Sequence, residues 1–199
     1  MSTRHKTPIV RLVPHKGRVL AAVCAVLSKS MRDGHAVTQY DIVKTLFLAD
    51  RDHLNRFGRP ITFDNYIAMK HGPVASFAYD LLKSSDKFAL EYGMAPPWVA
   101  NQLPPPSTAM QFTIVADAVR QEWLEELSDS DIEALEESLV IVKRLGFAQL
   151  RKLTHEDASY ENAWDDESDR KSFPMSLGLM FDSPDFERAE DIAFASENM

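Results

Sequence analysis

The sequence predicts an α+β fold, predominantly helical, built as a single domain with a small antiparallel sheet. Three observations carry that prediction. Apolar residues recur at three- and four-residue steps through most of the chain, the period of a helix face. One stretch, Gln111-Phe-Thr-Ile-Val115, alternates and is β-branched, as a strand is. A chain of 199 residues, 45% hydrophobic, can bury one sizeable core without dividing.

The elements follow in order. Residues 1–16 read as a basic arm broken by Pro8 and Pro14. A helix over 17–33 carries Val19, Leu20, Val23, Val26, Leu27 and Met31 at helical spacing, and Gly34 is its left-handed cap. The next helix, over 38–57, opens on Thr38 with Asp41, a capping-box pattern, and closes at Gly58. Arg59-Pro60 then imposes an extended or turn geometry. Ile61–Phe63 and Tyr66–Met69 flank the turn pair Asp64-Asn65; a short hairpin and a single turn feeding a helix both satisfy that pattern. Gly72 permits a positive φ, and Pro73 suits the first position of a helix over Val74–Leu82.

Phe88–Tyr92 is a candidate strand, and residues 93–109, with five prolines, read as an exposed loop. Beyond the strand at 111–115, Ser128 or Ser130 caps a long helix with Ile132, Leu135, Leu139, Val142 and Leu145 inward and Gly146 at its end. Phe147–Leu153 is a short helical segment. Thr154 with Asp157 repeats the capping logic for another helix, with Trp164 on its inner face. From Asp166 the chain is polar and acidic, with apolar islands at 173–181 and 192–195. This tail, 166–199, is expected to be partly disordered or to dock on a partner.

Charge is unevenly spread. The net charge is −8, yet residues 1–32 hold seven Lys/Arg and no Asp/Glu, and residues 166–199 hold nine acids against three bases. An acidic body argues against wrapping nucleic acid, whose affinity rests on neutralising phosphates. It suits a basic protein partner through complementary fields, and it equally serves solubility. There is no run of eighteen or more apolar residues, so no membrane partner is expected. The N-terminus lacks the apolar run of a signal peptide, and the single Cys24 lies in an apolar stretch, VLAAVCAVL, as a small buried hydrophobe; a reducing cytoplasm is expected.

The sequence names no catalytic constellation, no cofactor and no metal. The six histidines show no metal-ligand spacing, and there is no nucleophile elbow, phosphate loop or dinucleotide fingerprint. His53 and Asp50, three apart on one helix face, read as a surface ion pair, and neighbouring carboxylates such as Asp50/Asp52 and Glu136/Glu137 point apart. The helical pair 17–57 could imitate a helix-turn-helix, but its second helix opens Gln39-Tyr-Asp41 where a DNA reader needs donors, so it reads as core scaffold. The acids Glu122, Glu125, Glu126, Asp129, Asp131, Glu133, Glu136 and Glu137 run without an intervening Lys or Arg; they fit a solvated helix start and equally a face for a basic partner. Aromatics bracket the His71-Gly-Pro turn, and a tyrosine exposed beside Arg59 and Lys70 would be an anchor.

The run YDIVKTLFLADRDHLNRFGRPITFDNYIAMKHGPVASFAYDLLK resembles the signature of the Panacea, or SocA-like, antitoxin family, which includes phage-associated GepA-like proteins. The matching positions are Lys44, Leu46, Leu48, Ala49, Asp50, Gly58, Pro60, Ile61, Thr62, Tyr66, Ala68, Gly72, Pro73, Val74 and Tyr79. A second block, with Leu153-Thr154-His155 and Trp164, is similar to the family's C-terminal helix pair, so the resemblance covers residues 17–165. Phe47 departs from it, standing where an aromatic hydroxyl is usual; the proline loop and the acidic tail also lie outside the shared pattern. The resemblance implies a non-enzymatic antitoxin that binds a cognate protein toxin and neutralises it by direct contact. It also allows a proteolytic adaptor that delivers the toxin to a AAA+ protease such as ClpXP, with the tail as tether. The alternative from another class is a DNA-binding transcriptional repressor using the basic arm and the helical pair. The expected partner-binding residues are Asp50, Arg51, Arg59, Tyr66, Lys70 and His71, as a polar cluster across the helix end and the turn, with Glu133, Glu136 and Glu137. For Asp50 a second reading stands beside this one: it holds the Arg59–Thr62 turn by hydrogen bonds.

Overall fold

The computed structural model describes residues 7–199, so the first six residues of the basic arm lie outside the described residues. The predicted class holds: helices dominate, and the strands form two small antiparallel sheets of three strands each. Helix α1 (Lys16–Arg32) is buried on every side from Val19 to Cys24, the mark of a central helix. Burial pushes the Cys24 thiol up to about 12, as befits an inert core residue. Strand β1 (Val37–Thr38) leads into α2 (Gln39–Phe57), where the Thr38–Asp41 capping box forms as predicted and Gly58, at φ 83°, closes the helix.

Strands β2 (Tyr66–Met69) and β3 (Gly72–Ala75) make a hairpin with Ile67 opposite Val74. Its turn is Lys70-His71 rather than Asp64-Asn65. The side chains of that expected turn pair are used elsewhere. Asp64 is buried and accepts from Phe77 N and Ala78 N, each at 2.9 Å, which caps helix α3 (Ser76–Lys83) from across the hairpin. Asn65 brackets Leu12, accepting from its N–H at 2.9 Å and donating to its C=O at 2.8 Å. Pro73 lies in β3, not at a helix start; β3 is a sheet edge, where a residue without an N–H is tolerated.

The expected strand at Phe88–Tyr92 is a helix, α4 (Ser85–Tyr92). Ser84 accepts from Lys87 N at 3.2 Å and Gly93 closes the turn, so the caps override the β-like composition. The proline loop contains a strand, β4 (Trp98–Gln102), which pairs with β5 (Met110–Ile114), Trp98 opposite Ile114; β5 also pairs with β1. A 3-10 turn at Ala116–Ala118 and the single turn α5 (Gln121–Leu124) lead to the long α6 (Asp129–His155), which packs chiefly on α2. Ser128, boxed with Asp131, is its cap, and Gly146 (φ 67°, ψ 178°) is non-helical, so it ends one helical stretch as expected before a second continues to His155. Thr154 is not a cap: it is buried, its hydroxyl donates to Leu150 O at 3.0 Å, and Asp157 caps α7 (Ala158–Ala163).

The acidic tail is not disordered. Strand β6 (Ser172–Pro174) pairs with β2, a 3-10 turn spans Leu177–Leu179, and α8 (Phe186–Ser196) follows. Met175, Leu177, Met180, Phe181, Ala189 and Ile192 are buried in the domain's own core, while Glu187, Glu190 and Asp191 face out. The apolar islands outweigh the charge because each large side chain buried contributes about 1.5–3 kcal/mol. The tail also holds the arm: Ser176 Oγ donates to Pro8 O at 2.6 Å, and Val13 N donates to Ser196 Oγ at 3.0 Å.

Candidate partner-binding surface

Within Phe47–Val74 the inward-facing charges build shape. Asp50 is fully buried and accepts from Ile61 N at 2.8 Å, Thr62 N at 3.0 Å, Tyr66 OH at 2.8 Å and the Thr62 hydroxyl. Burial raises its pKa, while these donors pull the other way. Asp50 therefore holds the turn, and neither it nor Tyr66, which is buried beside it, can touch a partner. Phe47 packs edge-on to Tyr66 at 5.3 Å.

A second hub is Asp131, at the start of α6. Arg18 reaches it at 2.6 Å, Arg59 at 3.1 Å and His53 Nε2 at 3.1 Å. Burial opposes the Asp131 charge, but donation from Arg59 and Ser128, with the Arg18 charge, holds the carboxyl down at about 2. His53, expected in a surface pair with Asp50, is buried and faces Asp131. Arg51 pairs with Asp157 at 2.7 Å and Asp182 at 3.0 Å, tying α2 to the C-terminal segment. The expected cluster of Asp50, Arg51, Arg59, Lys70 and His71 does not form: no hydrogen bond or ion pair among the described residues joins the five, because three are spent on other elements.

Lys70 and His71 are exposed at the hairpin tip. Glu133 and Glu137 are exposed and Glu136 is half-buried on α6. The acidic run is partly neutralised from neighbouring helices: Arg32 lies 2.5 Å from Glu136, and Arg56 lies 3.4 Å from Glu137 and 3.9 Å from Glu133.

The hairpin tip borders a groove of about 540 Å³, lined among others by Tyr40, Lys44, Met69, Val74, Trp164 and Arg170. Its lining holds three exposed cations, Lys70, Arg170 and Lys171, together with the buried Lys44, against one carboxylate, Asp169. Lys44 is buried; its Nζ donates to Pro73 O at 2.6 Å and lies 5.2 Å from the Tyr40 ring centre. Among the described residues no carboxylate lies within 4 Å of it, and burial drives its pKa well below the usual lysine value. The Tyr40 hydroxyl and His155 Nε2 are buried with no hydrogen-bond partner among the described residues. Burial, then the charges of Arg151 and Lys44, push His155 down to about 4, and His71 is lowered by burial, Arg151, Lys70 and Lys44. Phe147, exposed just past the Gly146 kink, packs on Tyr40 at 5.0 Å and His71 at 5.5 Å. Gly72 makes the groove wall possible, at φ +100°: a Cβ there would lie 2.7 Å from both Lys44 Nζ and Thr154 Oγ1.

Sequence reasoning missed the groove. Its signal was the four-residue spacing of Tyr40 and Lys44, which puts a cation beside an aromatic on one face of α2. The contributions of Phe147, Trp164 and Arg170 had no such local signal. Among the described residues no group of three or more His, Cys, Asp or Glu could hold a metal ion, and no helix is long and apolar enough to cross a membrane.

No curated protein and no solved structure matches the chain. Residues 42–164, from the first turn of α2 through Trp164, match the family described as antitoxin SocA-like, Panacea domain. That span takes in the Asp50 hub, the hairpin and the α6–α7 pair. The chain belongs to the SocA-like antitoxin family, with a Panacea domain at its centre.

Proposed function

We propose that the protein neutralises a cognate protein toxin by direct, stoichiometric contact. The observation that carries the reading is the family match over residues 42–164, since the family implies a toxin partner in general. The placement of the signature residues supports it: Asp50, Thr62, Tyr66 and Gly72 are buried and set backbone shape, leaving Lys70, His71 and the α6 acids as surface groups. A platform of this kind serves recognition, with specificity resting on outward side chains. Glu133, Glu136 and Glu137 form a ridge suited to steering a basic partner surface. Delivery of the bound toxin to a AAA+ protease such as ClpXP is the finer form of the reading, and it calls for a surface separate from the toxin contact. The basic segment on which a repressor would depend is partly engaged within the molecule, Arg18 with Asp131 and Lys16 with Glu91.

The test is co-expression with the product of the adjacent gene. The expected result is rescued growth and a complex that survives purification. A toxic neighbour that neither binds nor is relieved would overturn the reading. For delivery, the toxin's half-life in cells should shorten when the protein is present and lengthen again when the protease is removed.

A further inference from the structure

We propose that the groove beside the Lys70–His71 turn seats a segment of the toxin that carries a carboxylate flanked by apolar side chains, with the carboxylate meeting Lys44 and the Tyr40 hydroxyl. This rests on the antitoxin reading above and names its docking site. Two buried donors lie at this groove with capacity unused. Lys44 spends one N–H on Pro73 O and keeps at least one more in either charge state, and the Tyr40 hydroxyl has no partner among the described residues. Buried polar groups are normally satisfied, and each unmade bond is costly. Their shared complement is an acceptor with several lone pairs. The field of Lys70, Arg170 and Lys171 selects a carboxylate, and a carboxylate seated there would favour the charged form of Lys44, which has no anion within 4 Å among the described residues. This cationic site stands out on a chain of net charge −8.

The rest of the groove selects the flanking residues. Val43, Met69, Val74 and Trp164 present apolar surface, and exposed Phe147 extends it past Tyr40 and His71. A volume of about 540 Å³ is far larger than an inorganic anion needs and falls in the range that takes several side chains.

The experiment uses the full chain and the purified product of the adjacent gene, with affinity read by calorimetry and folding by thermal melts. Lys44→Met is expected to weaken binding at least about tenfold, because it leaves the toxin's carboxylate buried and unpaired. Tyr40→Phe should weaken it less. The double variant Lys70→Glu with Arg170→Glu alters only exposed side chains; it should also cost about tenfold without changing the melt, and it decides the matter alone if Lys44→Met does not fold. Wild-type affinity in both the Lys44 variant and the double variant overturns the groove while leaving the antitoxin reading intact. No binding by the wild-type chain overturns both. Saturable quenching of tryptophan fluorescence by sodium acetate or inorganic phosphate, with toxin affinity unmoved by either anion, would make the site a small-anion pocket and overturn the proposal.

Discussion

Asp50 and Asp64 show how one buried carboxylate can set the course of a chain. Asp50 collects four donors from Ile61, Thr62 and Tyr66, and Asp64 collects the first free N–H groups of α3. Asp50→Ala would leave those donors buried and unpaired, at about 1–3 kcal/mol each before relaxation. The expected loss is at least about 3 kcal/mol in urea denaturation. Asp64 makes a prediction about pH. Burial raises its pKa from 3.8 to about 7, with the Ala78 and Phe77 amides opposing. Between those values the native state keeps a proton that the unfolded chain has released. Stability from this group is therefore full at low pH and declines as pH rises through that window. Asp64→Asn cannot ionise, so melts recorded across that range should show a flatter decline than wild type. The wrong sequence reading of Asp64-Asn65 as a turn has the same origin. Two polar residues between apolar runs read as a turn, and nothing local says that their side chains will be claimed by Leu12 and by α3.

At the scale of elements, two of the capping boxes were legible and one expected cap, Thr154, was not one. The box at Thr38–Asp41 and the one at Ser128–Asp131 form because both partners lie within one turn. Gly146 was read as a stop because glycine commonly ends helices, and it does break α6; the stretch beyond it packs Phe147 on Tyr40 of α2 and Thr154 beside Gly72 of β3. Its φ/ψ pair belongs almost exclusively to glycine, so Gly146→Ala should cost about 1–3 kcal/mol, read by thermal denaturation. It should also weaken toxin binding, since it moves Phe147. The acidic ridge of α6 behaves differently from the groove. Charge reversal at Glu133, Glu136 and Glu137 breaks only surface ion pairs with Arg32 and Arg56, so little stability should be lost. It should lower the association rate of a basic toxin and flatten its salt dependence, whereas groove variants act on the dissociation rate. Stopped-flow kinetics separate the two.

For the whole molecule, the tail is the part the sequence misrepresents. Its net charge suggests a solvated segment, yet it supplies a strand, a helix and six buried apolar residues to the domain. Removing 166–199 strips contributions of about 1.5–3 kcal/mol for each large side chain, a sum comparable with the 5–15 kcal/mol by which domains are stable. The truncated chain should lose its cooperative melt by circular dichroism, and toxin binding with it. A tether role for the tail is correspondingly less natural, because its backbone is tied to β2 and its side chains to the core.

By itself the sequence determined α1, α2 and the first stretch of α6 with the capping boxes at Thr38–Asp41 and Ser128–Asp131, the strand read at 111–115, the predominantly helical α+β class and the family signature, because periodicity, capping and glycine or proline geometry act within a few residues. Tertiary structure alone decided which charges are scaffold and which are surface. Asp50 was buried by the turn that follows its helix, His53 and Asp131 by partners far along the chain, the acidic tail was folded by the apolar face it found, and Lys44 was left at a groove with no carboxylate within 4 Å among the described residues. Burial is a property of what packs against a residue, and that is set by the whole fold.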